Sequence, residues 1–261
     1  MNQKTYTNLS KDEIYLISRA EFEKQPLINT SFAQKLFSNT NKAAKVIASL
    51  ARKGRIICLE KGKYVLVPLK APNQQWMPNE FVIASLWMGP IPYYIGYFTA
   101  YNYWGLTEQI PQTVYVLNTK RSCRRTIGNV RYEAIKISKD KYYGVQKVKI
   151  EEQDISISDR ERTLVDFICK PIGSFDNVQP VLKKNLSRID LKKFVGYLNR
   201  FPIISVRKRA GYYLDKLKVK SSLLALLKKG IGKDETYVTL DSSNKSRKGK
   251  INKDWRIIVN R

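Results

Sequence analysis

Histidine is absent from this chain of 261 residues, and its three cysteines, Cys58, Cys123 and Cys169, are far apart. Without histidine there can be no Ser–His or Cys–His nucleophile and none of the commonest imidazole metal sites. Because no two cysteines form a C-x-x-C pair, neither a zinc site nor a disulfide framework is indicated. We therefore expect no bound metal, no cofactor and no enzymatic activity.

Long apolar runs are also missing. No stretch approaches the roughly 20 apolar residues that a membrane-spanning helix needs. The first residues, MNQKTYTNLS, contain no apolar signal core. We therefore expect a cytoplasmic protein with no membrane partner. Hydrophobic residues still make up 43% of the chain, which is typical of a folded globular protein.

Acidic residues are scarce beside basic ones. The chain has 22 Asp and Glu against 48 Lys and Arg, a formal net charge of +26 and a pI near 9.9. The basic excess is present from one end of the chain to the other and is greatest in the terminal segment 205–261, with 16 basic against 5 acidic residues. A charge of this sign and size indicates a polyanionic partner, and nucleic acid fits best.

The length and pattern predict an α+β protein of two domains. A DNA-binding domain is expected over residues 1–70, and a larger mixed α/β domain that ends in short helices over 71–261. The linker between them is placed at about residues 68–77, where periodicity is lost and proline appears.

Residues 27–67 have the order of a winged helix-turn-helix. A helix is predicted at 30–37, a polar turn at 38–41, and a second helix at 42–53 that stops at Gly54. Two apolar runs, 55–59 and 63–67, follow and are joined by a short turn that contains Gly62. In such domains the second helix enters the DNA major groove. A capping box at Ser10 and Glu13 predicts a supporting helix before this motif.

The second helix should bury one stripe and expose another. Ala43, Val46, Ile47 and Leu50 recur at helical spacing, whereas Lys42, Lys45, Ser49 and Arg52 fall within roughly 80° on another face. Asn and Lys can read base edges, and Ser and Thr more often hold phosphates. The candidate DNA-binding residues are Ser31, Lys35, Asn39, Thr40, Asn41, Lys42, Lys45, Ser49, Arg52, Lys61 and Lys63. A solvated charged helix face is the alternative.

The larger domain offers weaker signals. An aromatic segment, 93–106, is either a core strand passing into a helix or a stacking platform for unpaired bases. A second capping box at 158–161 predicts a structural helix, although an acidic catalytic pair is the alternative there. Basic side chains form a loop cluster and a C-terminal surface: Arg121, Arg124 and Arg125, then Arg207, Lys208, Arg209, Lys216 and Lys218.

The pattern further predicts strands, helices and a terminal hairpin in this domain. Strands are expected at 114–117, 130–137 and 145–150, and helices at 175–186, 190–199, 203–216 and 221–229. Residues 236–240 and 255–259 should pair as a hairpin around a mobile, lysine-rich loop at 242–249.

Three segments resemble the AbiEi antitoxins of type IV toxin–antitoxin, abortive-infection systems. They are YYIGYFTAYNYWGLTEQ at 93–109, VYVLNTK at 114–120 and SDRERTLVDFI at 158–168. No one of them is diagnostic, and the resemblance lies in their order after a DNA-binding domain. It covers roughly residues 5–230, and the final segment of the chain lies outside it.

The resemblance implies two activities. Such proteins repress their own operon by binding inverted repeats in promoter DNA through the N-terminal domain. Their C-terminal domain counters a nucleotidyltransferase-like toxin without forming a stable complex with it. These are expectations from the resemblance, and the composition by itself supports only the binding of a polyanion.

The sequence is compatible with two other functions. A nuclease targeted by the winged helix would need acids on adjoining strands beside a lysine. The sequence has a single acid-x-Lys, at Asp190 and Lys192, and it lies at a helix start. An RNA-binding adaptor would use residues 93–125 and 205–229.

Overall fold

The computed structural model describes residues 8–71 and 76–260 of the chain. Within these ranges the fold is mixed α+β, as predicted, with ten α-helices and three β-sheets. None of the helices in the described ranges is both long and apolar enough to span a membrane.

The N-terminal elements are three helices and a small antiparallel sheet. Helix α1 (Lys11–Phe22) is followed by β1 (Leu27–Asn29), α2 (Thr30–Leu36), α3 (Thr40–Arg52), β2 (Ile56–Glu60) and β3 (Lys63–Leu66). The strand order is β1-β3-β2, with both neighbours of β3 antiparallel to it. Strand β1 was not predicted, because three residues are too few to show an alternating pattern.

Local signals fix the ends of these elements. Ser10 and Glu13 form the predicted capping box of α1. The side chain of Asn39 caps α3, and Gly54 follows its C-terminal end with φ 69°, a left-handed conformation that glycine adopts without strain. Gly62 has φ 81° in the β2–β3 turn, as predicted.

The buried stripe of α3 is confirmed. Ala43, Val46, Ile47 and Leu50 lie in one core with side chains of α1 and α2, including Leu16, Ile17 and Phe32. Burial of this stripe orients the rest of the helix, because each side chain on α3 is then fixed in direction by the helical period.

A six-stranded sheet follows α4 (Glu80–Met88). Its strands are β4 (Tyr93–Ile95), β5 (Thr113–Asn118), β6 (Cys123–Ile127), β7 (Val130–Lys136), β8 (Val145–Ile150) and β9 (Gln153–Ser158), in the order β6-β7-β5-β4-β9-β8. Helix α5 (Tyr97–Tyr103) follows β4. Tyr93, Tyr94 and Tyr101 are buried, so the core interpretation of the aromatic segment is confirmed for these side chains.

Five helices come after the sheet and share one apolar core. They are α6 (Arg160–Cys169), α7 (Val178–Asn185), α8 (Leu191–Arg200), α9 (Ile204–Lys216) and α10 (Ser221–Ile231). The predicted helices agree with these bounds to within a few residues. Helix α10 continues past the predicted stop at Gly230 to Ile231 and is followed by the C-cap Gly232, which has φ 63°.

The C-terminal segment forms a third sheet. Its strands are β10 (Val238–Thr239), β11 (Lys250–Asn252) and β12 (Ile257–Val259), in the order β10-β12-β11. The predicted hairpin is wrong, since β10 and β12 pair in parallel and β11 is the antiparallel neighbour of β12. The loop expected to be mobile is anchored by the side chain of Asn260, which bonds to Asp241, Asn244 and Ser246.

The chain divides into two compact units. The first comprises the residues up to Pro90 together with Arg124–Tyr132 and Lys149–Gln153, and the second comprises the remainder. The first unit extends beyond the predicted 1–70 domain because α4 packs against β2. Residues 72–75 of the predicted linker lie outside the described residues.

Candidate nucleic-acid interface

Helix α3 presents its outer side to solvent with no acidic residue on it. Asn41, Lys45 and Arg52 are exposed. The remaining exposed positions on this side are small: Ala44, Ala48 and Ala51. At about 100° per residue these six positions span roughly a third of the helix circumference. The polar side chains lie along one half of this side and the three alanines along the other half, where another surface can approach the helix backbone closely.

The predicted basic face is divided rather than continuous. Lys42 points toward α1, where its Nζ lies 2.8 Å from Oδ1 of Asp12 and 5.4 Å from the centre of the Phe37 ring. Both members of the ion pair remain about half exposed, at 50% and 42% of their side-chain surface. Lys42 is therefore reachable from solvent, but an acid already neutralises it in the free protein.

Ser49 lies on the same side of α3 as Lys42 and contacts Glu13 of α1. The carboxylate of Glu13 also accepts hydrogen bonds from the backbone of Ser10 at 2.6 Å and from Nζ of Lys53 at 2.7 Å. Burial raises the pKa of Glu13, but the bonds from Lys53, Ser10 and Ser49 outweigh it and lower the pKa to about 2. Ser49 thus helps to fix α1 against α3, and these contacts of Glu13 with α3 were not predicted along with its capping role.

The start of α3 combines capping with exposure. Oδ1 of Asn39 accepts hydrogen bonds from the backbone N–H groups of Asn41 at 2.8 Å and Lys42 at 3.3 Å. Asn39 is itself exposed. Thr40 and Asn41 are exposed beside it. The cluster retains hydrogen-bond donors at a helix N-terminus, where anions are favoured.

The predicted phosphate contacts lie on the neighbouring elements of the first unit. Lys35 of α2 is exposed, and Ser31 is exposed with its Oγ donating to Oδ1 of Asn29 at 2.7 Å. Lys61 at the β2–β3 turn is exposed, while Nζ of Lys63 forms an ion pair with Glu60. Lys35 and Lys61 are therefore the cations of this group most open to a ligand.

The predicted basic surface of the second unit is wrong at three positions on α9. Lys208 is 0% exposed, and its Nζ pairs with Asp234 at 2.9 Å and donates to the carbonyl of Thr236. Arg209 is buried, with its Nε donating to the carbonyl of Thr239. Each cation is enclosed because α9 lies in the core and binds main-chain carbonyls of the C-terminal segment.

Arg207 is the third of these α9 residues, and it is half-buried. Its guanidinium donates to the carbonyl oxygens of Leu198, Phe201 and Gly230, so it joins α8, the turn after it and α10. Lys216 and Lys218 are exposed as predicted. Arg124 and Arg125 are exposed but lie in strand β6 rather than in a loop, and Arg121 precedes that strand in a half-buried position.

Helix α6 carries a polar network that the sequence indicated only in part. The predicted capping box is wrong, since Asp159 rather than Ser158 caps the helix. Glu161 instead pairs with Lys193 of α8 at 2.9 Å and accepts a bond from the backbone of Asp190. Lys193 also contacts Asp159 at 3.0 Å. These groups fasten α6 to α8, which supports the structural interpretation of this helix.

Arg162 and Asp166 of α6 form a buried ion pair at helical spacing, with 2.9 Å between Nη1 and Oδ1. Nη2 of Arg162 also donates to the hydroxyl of Tyr94 at 3.2 Å, and the guanidinium lies 4.7 Å from the centre of the Tyr143 ring. Burial raises the pKa of Asp166 to about 6, against the opposing charge of Arg162. Oδ2 of Asp166 has no hydrogen-bond partner among the described residues.

Metal-binding groups are not clustered in the part of the chain that the structure describes. No set of three or more Cys, Asp or Glu side chains lies close enough together there to hold an ion. Asp190, the acid of the acid-x-Lys sequence, caps α8 by accepting from the backbone N–H groups of Lys192 and Lys193. Capping therefore explains this residue without metal chemistry.

Comparison with known proteins gives a likeness of fold. No family model matches the sequence. No curated protein matches it either. Among solved structures, the crystal structure of the RV2827C protein from Mycobacterium tuberculosis is similar, with a TM-score of 0.68 and 13% sequence identity over 96% of this chain and 92% of that chain. At this identity the likeness shows a shared fold over nearly the whole chain and nothing about ligands.

Proposed function

We propose that the protein is a DNA-binding autorepressor and antitoxin of the AbiEi type, and that α1 to β3 are its winged helix-turn-helix. The observation that carries the proposal is the outer side of α3, where Asn41, Lys45 and Arg52 are exposed without an acidic neighbour on the helix. The succession of α2, α3 and the β2–β3 hairpin is the order of elements in winged-helix DNA readers.

In this proposal α3 enters the major groove of promoter DNA. The three alanines on its outer side allow the helix backbone to approach the base edges. Asn41 and Lys45, one turn apart, then reach adenine and guanine edges respectively, and Arg52 reaches a base or phosphate at the other end of the helix. Ser31, Lys35 and Lys61 contact phosphates on either side of the groove.

Lys42 has a conditional role in DNA binding. The ammonium group of Lys42 must break its ion pair with Asp12, or share it, before it binds a phosphate or a base edge. An exposed ion pair of this kind contributes about 0.2–1 kcal/mol, so the exchange is feasible but lowers the net gain from Lys42. Lys45 and Arg52 have no ion-pair partner among the described residues and should contribute more.

The antitoxin activity is assigned to the second unit, on the resemblance of residues 93–109, 114–120 and 158–168 to AbiEi antitoxins. The expected functional partner is a nucleotidyltransferase-like toxin, countered without a stable complex. Three of the seven aromatic side chains of the first segment are buried, three are partly buried, and Tyr103 is 40% exposed. A surface of the assembled unit, rather than an exposed aromatic platform, is therefore the expected antitoxin element.

A three-probe binding experiment tests the DNA-binding proposal. Purified full-length protein is titrated against its own operon's promoter, a scrambled duplex of the same length and a tRNA pool, with and without Mg²⁺. We expect selective binding of the promoter that weakens steeply with salt, because about six phosphate contacts give a log–log slope near −5.

The other outcomes of the same experiment each contradict the proposal. Equal affinity for promoter and scrambled DNA at physiological salt excludes a specific reader. Preferential binding of tRNA favours an RNA-binding adaptor. Cutting of any probe that requires Mg²⁺ favours a nuclease.

A further inference from the structure

The segment between β10 and β12 is the most basic exposed stretch of the second unit. Residues 242–253 contain five basic residues and no acidic one. All five are exposed: Lys245, Arg247, Lys248, Lys250 and Lys253. We refer to residues 242–253 as the basic loop. It lies outside the stretch that resembles AbiEi antitoxins.

One buried side chain holds the basic loop in place. Asn260 is 2% exposed. Its Nδ2 donates to the carbonyl oxygens of Asp241 at 3.0 Å, Asn244 at 3.2 Å and Ser246 at 2.9 Å. Its Oδ1 accepts from the backbone N–H of Asp241 at 3.0 Å. Because one side chain binds the main chain at Asn244 and Ser246 of the loop and at Asp241 just before it, the loop needs little further ordering to bind a ligand.

Other contacts reinforce this frame without pairing a loop cation with an acid. Nδ2 of Asn244 donates to the carbonyl of Asn260 at 2.9 Å. A guanidinium nitrogen of Arg247 donates to the carbonyl of Tyr237 at 2.9 Å, which is a neutral acceptor. Strand β11 continues the frame by pairing with β12. The five exposed cations are thus attached to an ordered main chain.

Neighbouring acids do not neutralise the basic loop. The carboxylate of Asp241 accepts hydrogen bonds from the hydroxyl of Ser243 and from the backbone N–H groups of Ser243 and Asn244, and these bonds, the hydroxyl's first, lower its pKa. Asp254 is exposed at the other end of the loop. Between residues 8 and 260, as far as the structure describes them, no ion pair involves the five loop cations, whereas Lys53, Lys193 and Lys208 are all paired.

The composition of the loop indicates which polyanion it fits. Proteins that hold unpaired bases add aromatic side chains for stacking, and residues 241–254 contain none. Lysine, arginine, serine and asparagine are the side chains that bind the phosphates of a duplex. Cations spaced along a fixed loop match the repeated charges of such a backbone. The loop is not a helix or a paired ribbon of the kind that enters a DNA groove to read base edges.

We propose that the basic loop binds the phosphate backbone of duplex DNA without reading its sequence, as a second DNA contact in addition to α3. This inference rests on the proposed DNA-binding function and adds a non-specific surface on the second unit. The loop then contributes affinity and salt dependence, while α3 contributes the preference for the promoter.

The test compares two variants of equal charge in the full-length protein. The loop variant carries Lys245→Gln, Arg247→Gln and Lys248→Gln. The control variant carries Lys183→Gln, Lys184→Gln and Lys192→Gln, which remove three exposed cations from α7 and α8. Binding to a random-sequence DNA duplex is followed by fluorescence anisotropy between about 50 and 200 mM salt.

Loss of three phosphate contacts should reduce the slope of log Kd against log salt by about 2 to 3 in the loop variant. The control variant should keep the slope of the unmodified protein. If both variants weaken binding equally, the effect is one of net charge and the proposal is wrong. If the loop variant binds the DNA duplex normally but loses affinity for double-stranded RNA, the loop serves RNA and the proposal is likewise wrong.

Two further variants separate this inference from the proposed function. Asn260→Ala keeps every charge but removes the frame, so it should weaken binding to the same duplex at a temperature where circular dichroism shows the variant to be folded. Lys45→Ala with Arg52→Ala should remove promoter preference and retain the loop's contribution to random DNA. If that pair changes nothing while the loop variant still loses affinity, the role of α3 is wrong and the loop assignment stands.

Discussion

Lys42 of α3 and Asp12 of α1 form an ion pair with 2.8 Å between Nζ and Oδ1. The cation nearest the start of the proposed reading helix is therefore held by an acid that DNA would repel. The contact between α1 and α3 at this ion pair therefore affects how tightly the protein binds a polyanion.

Substituting Asp12→Asn should tighten promoter binding. The change frees Lys42 and removes a negative charge near the proposed DNA contact. An ion pair this exposed contributes about 0.2–1 kcal/mol, so Kd for the promoter should fall by roughly 1.5- to 5-fold. Anisotropy titrations measure the effect. Glu23→Gln is the matched control, since it removes the same charge at the other end of α1. An equal gain from the control, or an undiminished gain in a Lys42→Ala background, would contradict the prediction.

Substitution of Lys45 and Arg52 should separate the two proposed activities. Lys45→Ala and Arg52→Ala should each weaken promoter binding by about 1–3 kcal/mol if the side chain contacts a base. Lys42→Ala should weaken binding less, because part of the free energy that Lys42 gains on DNA is used to break its ion pair with Asp12. The doubly substituted full-length protein should still rescue growth when the neighbouring toxin is expressed from an independent promoter. Failure to rescue, with normal protein levels, would place the antitoxin element in the first unit.

The titration of Glu13 should be visible in the pH dependence of stability. Its pKa is lowered to about 2 in the folded protein, so its stabilising contribution is complete above its ordinary pKa near 4.5. That contribution is lost as the pH falls from about 5 to about 2. Carboxyl carbon NMR of the folded protein measures the midpoint directly. Lys53→Met should raise the midpoint toward the ordinary value, and an unchanged midpoint would show that Lys53 is not its main partner.

The buried pair of Arg162 and Asp166 predicts a non-additive effect on stability. Arg162→Met leaves a buried, unpaired carboxylate and should cost about 3–5 kcal/mol. Adding Asp166→Leu should recover most of that loss, because the two apolar side chains replace the ion pair in a similar volume. Urea unfolding followed by near-UV circular dichroism compares the two variants. Additive losses would mean that the two charges do not interact in the folded protein.

Features that depend on neighbours in the chain were predictable from the sequence. The capping box of Ser10 and Glu13, the stripe from Ala43 to Leu50 and the turn at Gly62 all follow from spacings of a few residues. Hydrogen bonds at helix ends and the period of buried side chains are local in origin. They determined the order of elements in the first unit and the direction in which Lys45 points.

Only the tertiary structure decided which charged groups meet. Lys208 and Arg209 belong to a basic run in sequence, yet both are buried because carbonyls and an acid some 25 to 30 residues later enclose them. The same holds for Glu161, whose partner Lys193 is on another helix, and for Asn260, which organises a loop that precedes it. A local pattern shows the number of charges and their spacing, but burial and pairing depend on contacts between distant segments.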